Sequence, residues 1–209
     1  MTTLIRESPP LDSFVLPPFP VRRWSVAEYE ELTERGLLTA DDNVELLEGW
    51  IVPQMTHNPP HDSTIQRLLD SFYDFLDRQW RPRGQSAITT ADSVPEPDLA
   101  IVPGPTGRFD ERRPTMGEIQ LVVEVADATL TRDRRKREIY AAASIPVYWI
   151  VNLNRRVVEV YSQPDPDARK YAAEQTFGED DSIPVVIAGQ KMCEIPVSRI
   201  LPAKGKSSD

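Results

Sequence analysis

The chain has 209 residues, 40% of them hydrophobic and 27% charged, which is enough to bury the core of one domain. Its 33 acidic and 24 basic side chains give a net charge of −9, which argues against a protein that coats nucleic acid non-specifically. No apolar run approaches the ~20 residues needed to span a bilayer, and no secretory signal is recognisable, so a cytoplasmic protein without a membrane span is expected. A single cysteine, Cys193, excludes an internal disulfide and a cysteine-based zinc site.

The N-terminal half predicts an extended segment, a helix, a hairpin and a second helix. Prolines predict an extended segment at 1–23, and we expect a folded domain at 24–202 and a disordered tail at 203–209. Ser25 and Glu28 have the spacing of a capping box, which predicts a helix to about residue 35. A hairpin follows at 43–52, and apolar residues at three- and four-residue spacings predict a helix over 61–80.

The second half alternates between strands and one further helix. Strands are predicted at 85–91, 97–102, 119–125, 147–151, 157–161, 170–176 and 192–195, with a helix at 131–143 and a last helical turn at 197–201. The helix at 131–143 lies between two strands, which can therefore be parallel, while the other strands are expected to be antiparallel. The predicted fold is α/β, with a mixed sheet flanked by helices.

Two carboxylates interrupt apolar strands, and a lysine follows them on a helix. Asp98 stands at the entrance of its strand and Glu124 lies inside the next one, where burial is costly unless the acid is paired, protonated or bound to metal. Lys136 shares a helix face with Ile139 and Tyr140, which places it on the buried side near Glu124. Mg²⁺ or Mn²⁺ on the two acids would activate a phosphoryl group, and Lys136 would stabilise the developing charge. The alternatives are a structural ion pair for Lys136 and a turn cap for Asp98.

Further polar residues are candidates for the same site. Glu45 either extends the metal shell or is a surface acid of an edge strand, and His61 either contacts phosphate or caps its helix. Arg132 and Arg135 belong to the densest basic run and suit phosphate contacts, unless that run is only a solvated helix face. His57 precedes a loop and receives no role. Two histidines without a close third ligand argue against a zinc hydrolase.

The order and spacing of these residues resemble the Uma2 family of restriction-endonuclease-like proteins, within the PD-(D/E)xK nuclease superfamily. The matching stretches are 44–49, the helix start near 61, 96–100, 121–125, 133–140 and 145–151. The resemblance implies a restriction-endonuclease-like core with an added N-terminal helix and hairpin, Asp98 and Glu124 as metal-binding acids, and Lys136 as the family's helix lysine. One departure is Ala126, which stands where the superfamily usually has a lysine two residues after the second acid.

The sequence thus predicts a metal-dependent phosphodiesterase, a DNA endonuclease that uses Mg²⁺ or Mn²⁺. Asp98 and Glu124 would bind the metal, with Lys136 and Glu45 completing the catalytic set, while Arg132, Arg135 and His61 would contact phosphate. The alternative is a nuclease fold with a degenerate site that serves as a binding or assembly module. Because nucleases that cut both strands often pair two sites, a homodimer is also expected.

Overall fold

A computed structural model describes residues 20–203 of the chain. The predictions for the remaining residues, 1–19 in the proline-rich segment and 204–209 in the tail, lie outside this range. Within it, no helix has the length and apolar character that crossing a membrane requires.

The N-terminal part of the described chain forms two helices around a hairpin. These elements are α1 (Val26–Glu34), β1 (Val44–Leu47), β2 (Trp50–Pro53) and α2 (Pro59–Phe75). Ser25 caps α1 in the predicted capping box, and the Asn58 side chain caps α2 by accepting from the His61 backbone N–H at 3.1 Å. The hairpin turns at Glu48 and Gly49, where both φ angles are positive. 

The central sheet has six strands in chain order, and its pairing agrees with the mixed sheet that the sequence predicts. The strands are β3 (Trp80–Gly84), β4 (Leu99–Pro103), β5 (Leu121–Ala126), β6 (Val147–Asn152), β7 (Val157–Asp165) and β8 (Lys170–Phe177). The helix α3 (Leu130–Ala142) connects β5 to β6, and these two strands are parallel. The other four neighbouring pairs are antiparallel.

The boundary between α2 and β3 differs from the prediction. The helix ends at Phe75 rather than at residue 80, because Leu76 has extended backbone angles. Trp80 therefore begins an edge strand, and the strand expected at 85–91 is not formed. Pro82 fits there, because an edge strand leaves one side of its ladder unpaired. Trp80 still packs against the main core, as the prediction required, but from β3 rather than from the end of α2.

Different elements pack against the two faces of the sheet. One face packs against α2, the hairpin of β9 (Ser182–Ile187) and β10 (Gln190–Pro196), and the short helix α4 (Val197–Ile200). The sequence predicted only residues 192–195 as a strand here, so β9 was missed. The other face packs against α3, through Tyr140 and Leu130 of the helix and Ala143 directly after it. 

Alternation along β5 directs Glu124 toward α3. Val123 and Val125 belong to the core under α2, whereas Val122 and Ala126 belong to the core under α3. Because side chains alternate along a strand, Glu124 has the same phase as Val122 and Ala126. The acid consequently enters the interior between the sheet and α3, where it is 4% exposed.

Candidate active site

A cavity of about 300 Å³ opens where the start of α2, the end of β5 and the start of α3 converge. Six of the seven residues predicted for the site line it: Glu45, His61, Asp98, Glu124, Arg132 and Lys136. Five of these are nearly inaccessible, with exposed fractions of 7% or less, and Arg132 is half-buried. Arg135, the seventh, is exposed on α3 and does not line the cavity.

Glu124 is bound by two residues that lie one turn apart on α3. Its Oε1 accepts a hydrogen bond from Lys136 Nζ at 3.0 Å and another from the Tyr140 hydroxyl at 2.7 Å. This i, i+4 pair is the buried face that helix periodicity predicts. Burial raises the pKa of Glu124 to about 8, although the charge of Lys136 opposes the rise. 

Lys136 is shared between two carboxylates. Its Nζ also lies 3.2 Å from Glu45 Oε1, which accepts a second charged hydrogen bond from Arg132 at 2.6 Å. The other oxygen of Glu45 accepts from the Glu96 backbone N–H at 3.0 Å. Both oxygens of Glu45 are thus occupied, so this buried side chain holds the two cations in position. 

The charge of Lys136 is firmly retained. Burial by itself lowers the pKa of Lys136, but Glu124 and Glu45, with a further contribution from Asp133, outweigh it and raise the pKa above its usual value. The ammonium is therefore a fixed positive charge rather than a proton acceptor.

Asp98 is tied to the strand that carries Glu124. Its Oδ2 accepts a hydrogen bond from the backbone N–H of Val125 at 2.7 Å and lies 3.1 Å from His61 Nε2. Burial opposes protonation of His61, but the contact with Asp98 outweighs it and raises the pKa of the imidazole. The contact with Val125 links the two acids of the site through one residue of β5.

Both acids keep one oxygen available. No described residue donates a hydrogen bond to Asp98 Oδ1 or to Glu124 Oε2, while both side chains line the same cavity. Hard divalent cations take carboxylate oxygens and fill their other positions with water or phosphate oxygen. The donor set therefore fits Mg²⁺ or Mn²⁺.

The charge balance of the cavity also favours cations. Six acids line it, namely Glu45, Glu96, Asp98, Glu124, Asp127 and Asp133, against the two permanent cations Arg132 and Lys136. The formal balance is −4. Asp133 is buried, and burial raises its pKa to about 6 although the Thr129 hydroxyl donates to it at 2.5 Å. Two buried carboxyl groups with raised pKa values in one cleft, Glu124 and Asp133, are typical of a functional site.

Sequence reasoning missed His57. One ligand atom each of His57, His61 and Asp98 lie within 4.8 Å of one another, so the two histidines do have a close third ligand and the contrary expectation was wrong. The four-residue spacing of His57 and His61 across the start of α2 was the available signal. The sequence could not connect Asp98 with the two histidines, because the contact between His61 and Asp98 joins distant parts of the chain.

The fold and the arrangement of two acids with a helix lysine define a nuclease-like α/β protein of the restriction-endonuclease type. The model of the Uma2 family, described as a putative restriction endonuclease, matches residues 26–197, and the chain belongs to this family. It is similar to the crystal structure of a putative nuclease belonging to DUF820 from Anabaena variabilis ATCC 29413. The TM-score is 0.68, with 14% identity over 87% of this chain and 97% of that chain, so the likeness concerns the fold. A search of the curated proteins gives no match.

Proposed function

We propose that this protein is a metal-dependent endonuclease that hydrolyses phosphodiester bonds in DNA. The observation that carries the proposal is the pair Asp98 and Glu124 in one cavity beside Lys136: each has one oxygen fixed by protein donors and one to which no residue within 20–203 donates. The family description supports nucleic acid, and DNA in particular, as the substrate.

Asp98 and Glu124 would hold Mg²⁺ or Mn²⁺, which supplies Lewis-acid activation of the phosphoryl group and of a bound water. Lys136 keeps its proton, so its role is to offset negative charge as the pentacovalent phosphorus develops. Glu45 orients Lys136 and Arg132 rather than binding the metal, since both of its oxygens are occupied.

Arg132 and His61 are the residues that would contact phosphate within the cavity. The Arg132 side chain is 23% exposed and donates to Glu45 with one nitrogen, which leaves other guanidinium donors for a phosphate oxygen. Arg135 lies outside the cavity, where it could meet only a neighbouring part of a longer nucleic acid. Nucleases that cut both strands often pair two sites, so we propose a homodimer, which light scattering in solution would test.

The test is cleavage of supercoiled plasmid and of labelled oligonucleotides with Mg²⁺, with Mn²⁺ or with EDTA. Wild type should cleave only with a divalent ion. Asp98→Asn and Glu124→Gln should each lower the rate at least about 100-fold, because each replaces a charged carboxylate ligand by a neutral amide and so loses several kcal/mol of charge stabilisation. The matched controls Asp70→Asn and Glu31→Gln make the same chemical changes at exposed positions of α2 and α1 and should cleave like wild type.

A folded wild-type protein that cleaves neither DNA nor RNA with either ion would overturn the proposal. If Mn²⁺ nevertheless raised the melting temperature of wild type and not that of Asp98→Asn, the site would bind metal without cleaving. That result would favour a nuclease fold that serves as a binding module.

A further inference from the structure

A second group of metal-ligating side chains shares Asp98 with the acid pair. His57 and His61 stack with ring centroids 4.2 Å apart and an interplanar angle of 23°. Their ligand atoms and an Asp98 oxygen lie within 4.8 Å of one another. Neither Glu124 nor Lys136 belongs to this group, which occupies the side of the cavity formed by the start of α2.

Both imidazoles bring Nδ1 near the carboxylate of Asp62. His61 Nδ1 lies 3.5 Å and His57 Nδ1 lies 3.8 Å from Oδ1 of Asp62. Both stacked rings therefore bring their Nδ1 atoms near one carboxylate, while Nε2, the other ring nitrogen, remains for a ligand. His61 Nε2 is the atom that faces Asp98, at 3.1 Å. 

Two features of His61 point to a ligand. The residue is 7% exposed, yet its Nδ1 has no hydrogen-bond partner among the described residues, since 3.5 Å to Asp62 is longer than a well-formed bond. The 3.1 Å between His61 Nε2 and Asp98 Oδ2 is also about the separation of two ligands on one ion at ~2.1 Å bond lengths. When Nε2 binds an ion, Nδ1 carries the proton, and a small movement of the exposed Asp62 side chain would let Nδ1–H donate to it, as metal-bound histidines commonly donate to a carboxylate.

His57 can complete the group without refolding. Its side chain is 37% exposed and lies in the segment between β2 and α2, outside regular structure. The Gln85 amide lies 2.9 Å from His57 Nδ1. After rotation, this amide can accept from a protonated Nδ1, which frees the Nε2 lone pair.

We propose that His57, His61 and Asp98 form a second metal position, adjacent to the Asp98–Glu124 position, which selects Zn²⁺, Co²⁺ or Ni²⁺ over Mg²⁺. Imidazole suits these ions, whereas Mg²⁺ prefers oxygen ligands. Two histidines and one carboxylate leave a further coordination position for water, as in catalytic zinc sites. The surplus of acids in the cavity can balance a second divalent charge. The inference rests on the proposed function only in that both positions use Asp98.

The test uses the full chain without a polyhistidine tag, because His57 and His61 are its only histidines. Zn²⁺ and Mg²⁺ are titrated separately by calorimetry, and imidazole ¹⁵N signals are recorded with and without Zn²⁺. The variants are His57→Gln, at an exposed position, and Glu124→Gln, which removes an acid that only the first position uses. Circular dichroism checks that each variant is folded.

Zn²⁺ should shift the ¹⁵N signals of both imidazoles in wild type. His57→Gln should weaken Zn²⁺ binding at least about tenfold, since even outer ligands of metal sites contribute that much, and should leave Mg²⁺ binding within about twofold. Glu124→Gln should instead weaken Mg²⁺ binding at least about tenfold and leave Zn²⁺ binding within about twofold. Equal Zn²⁺ affinity in wild type and His57→Gln, or unshifted imidazole signals, would overturn the second position. Failure of DNA cleavage with normal Zn²⁺ binding would instead count against the proposed function alone.

Discussion

Replacing Lys136 by methionine should destabilise the protein strongly even though it preserves most of the side-chain volume. The ammonium is buried between Glu124, at 3.0 Å, and Glu45, at 3.2 Å, and both acids are themselves at most 4% exposed. Removing one partner of a buried ion pair typically costs about 3–5 kcal/mol, because the remaining charge is left without compensation. Glu45 keeps Arg132 and the Glu96 N–H, and Glu124, whose pKa burial raises to about 8, can take up a proton, so we expect about 3 kcal/mol, the lower end of that range.

The free energy of unfolding is measured by urea denaturation in EDTA, with the fluorescence of the four tryptophans as the signal. Lys170→Met makes the same change at an exposed position of β8 and should alter stability by no more than about 0.5 kcal/mol. Lys136→Met combined with Glu124→Gln removes both the ammonium and the carboxyl group that it binds, and should be more stable than Lys136→Met alone by at least about 1 kcal/mol. A cost below about 1 kcal/mol for Lys136→Met, or a double variant less stable than the single one, would refute the argument that unpaired charge dominates here.

Three further changes test separate parts of the structure. Tyr140→Phe removes the hydroxyl that donates to Glu124 at 2.7 Å and should lower the free energy of unfolding by about 1–2 kcal/mol in the same assay. Phe72→Ala empties a fully buried position of α2 and should cost about 3–5 kcal/mol, and a cost near 1 kcal/mol would show that the core collapses around it. The pKa of Glu118 falls from 4.5 to about 2, chiefly because Arg112 donates to it, so its stabilisation is present above about pH 4.5 and is lost as the pH falls toward 2. Glu118→Gln should therefore lower the melting temperature near neutral pH and approach wild type in acid, whereas a difference independent of pH would contradict this role.

Local patterns in the sequence were sufficient for much of the fold. The capping box at Ser25, the apolar stripe of α3 and the apolar runs of β5 and β6 depend on neighbours within one or two turns or on alternation along one strand. The parallel pairing of β5 and β6 followed from the helix between them. The β3 strand was missed, because Trp80 continues the helical spacing of α2 while extended backbone at Leu76 ends that helix.

The difference between local patterns and long-range contacts also explains which parts of the site could be predicted. The sequence by itself determined that Asp98 and Glu124 interrupt apolar strands and that Lys136 lies on the buried face of its helix, because strand alternation and helix periodicity are local properties. Only the tertiary structure decided that Glu45 is enclosed by Lys136 and Arg132, and that His57 and His61 lie beside Asp98. Those contacts join residues dozens of positions apart, and the way α2 and the N-terminal hairpin pack against the sheet fixes them.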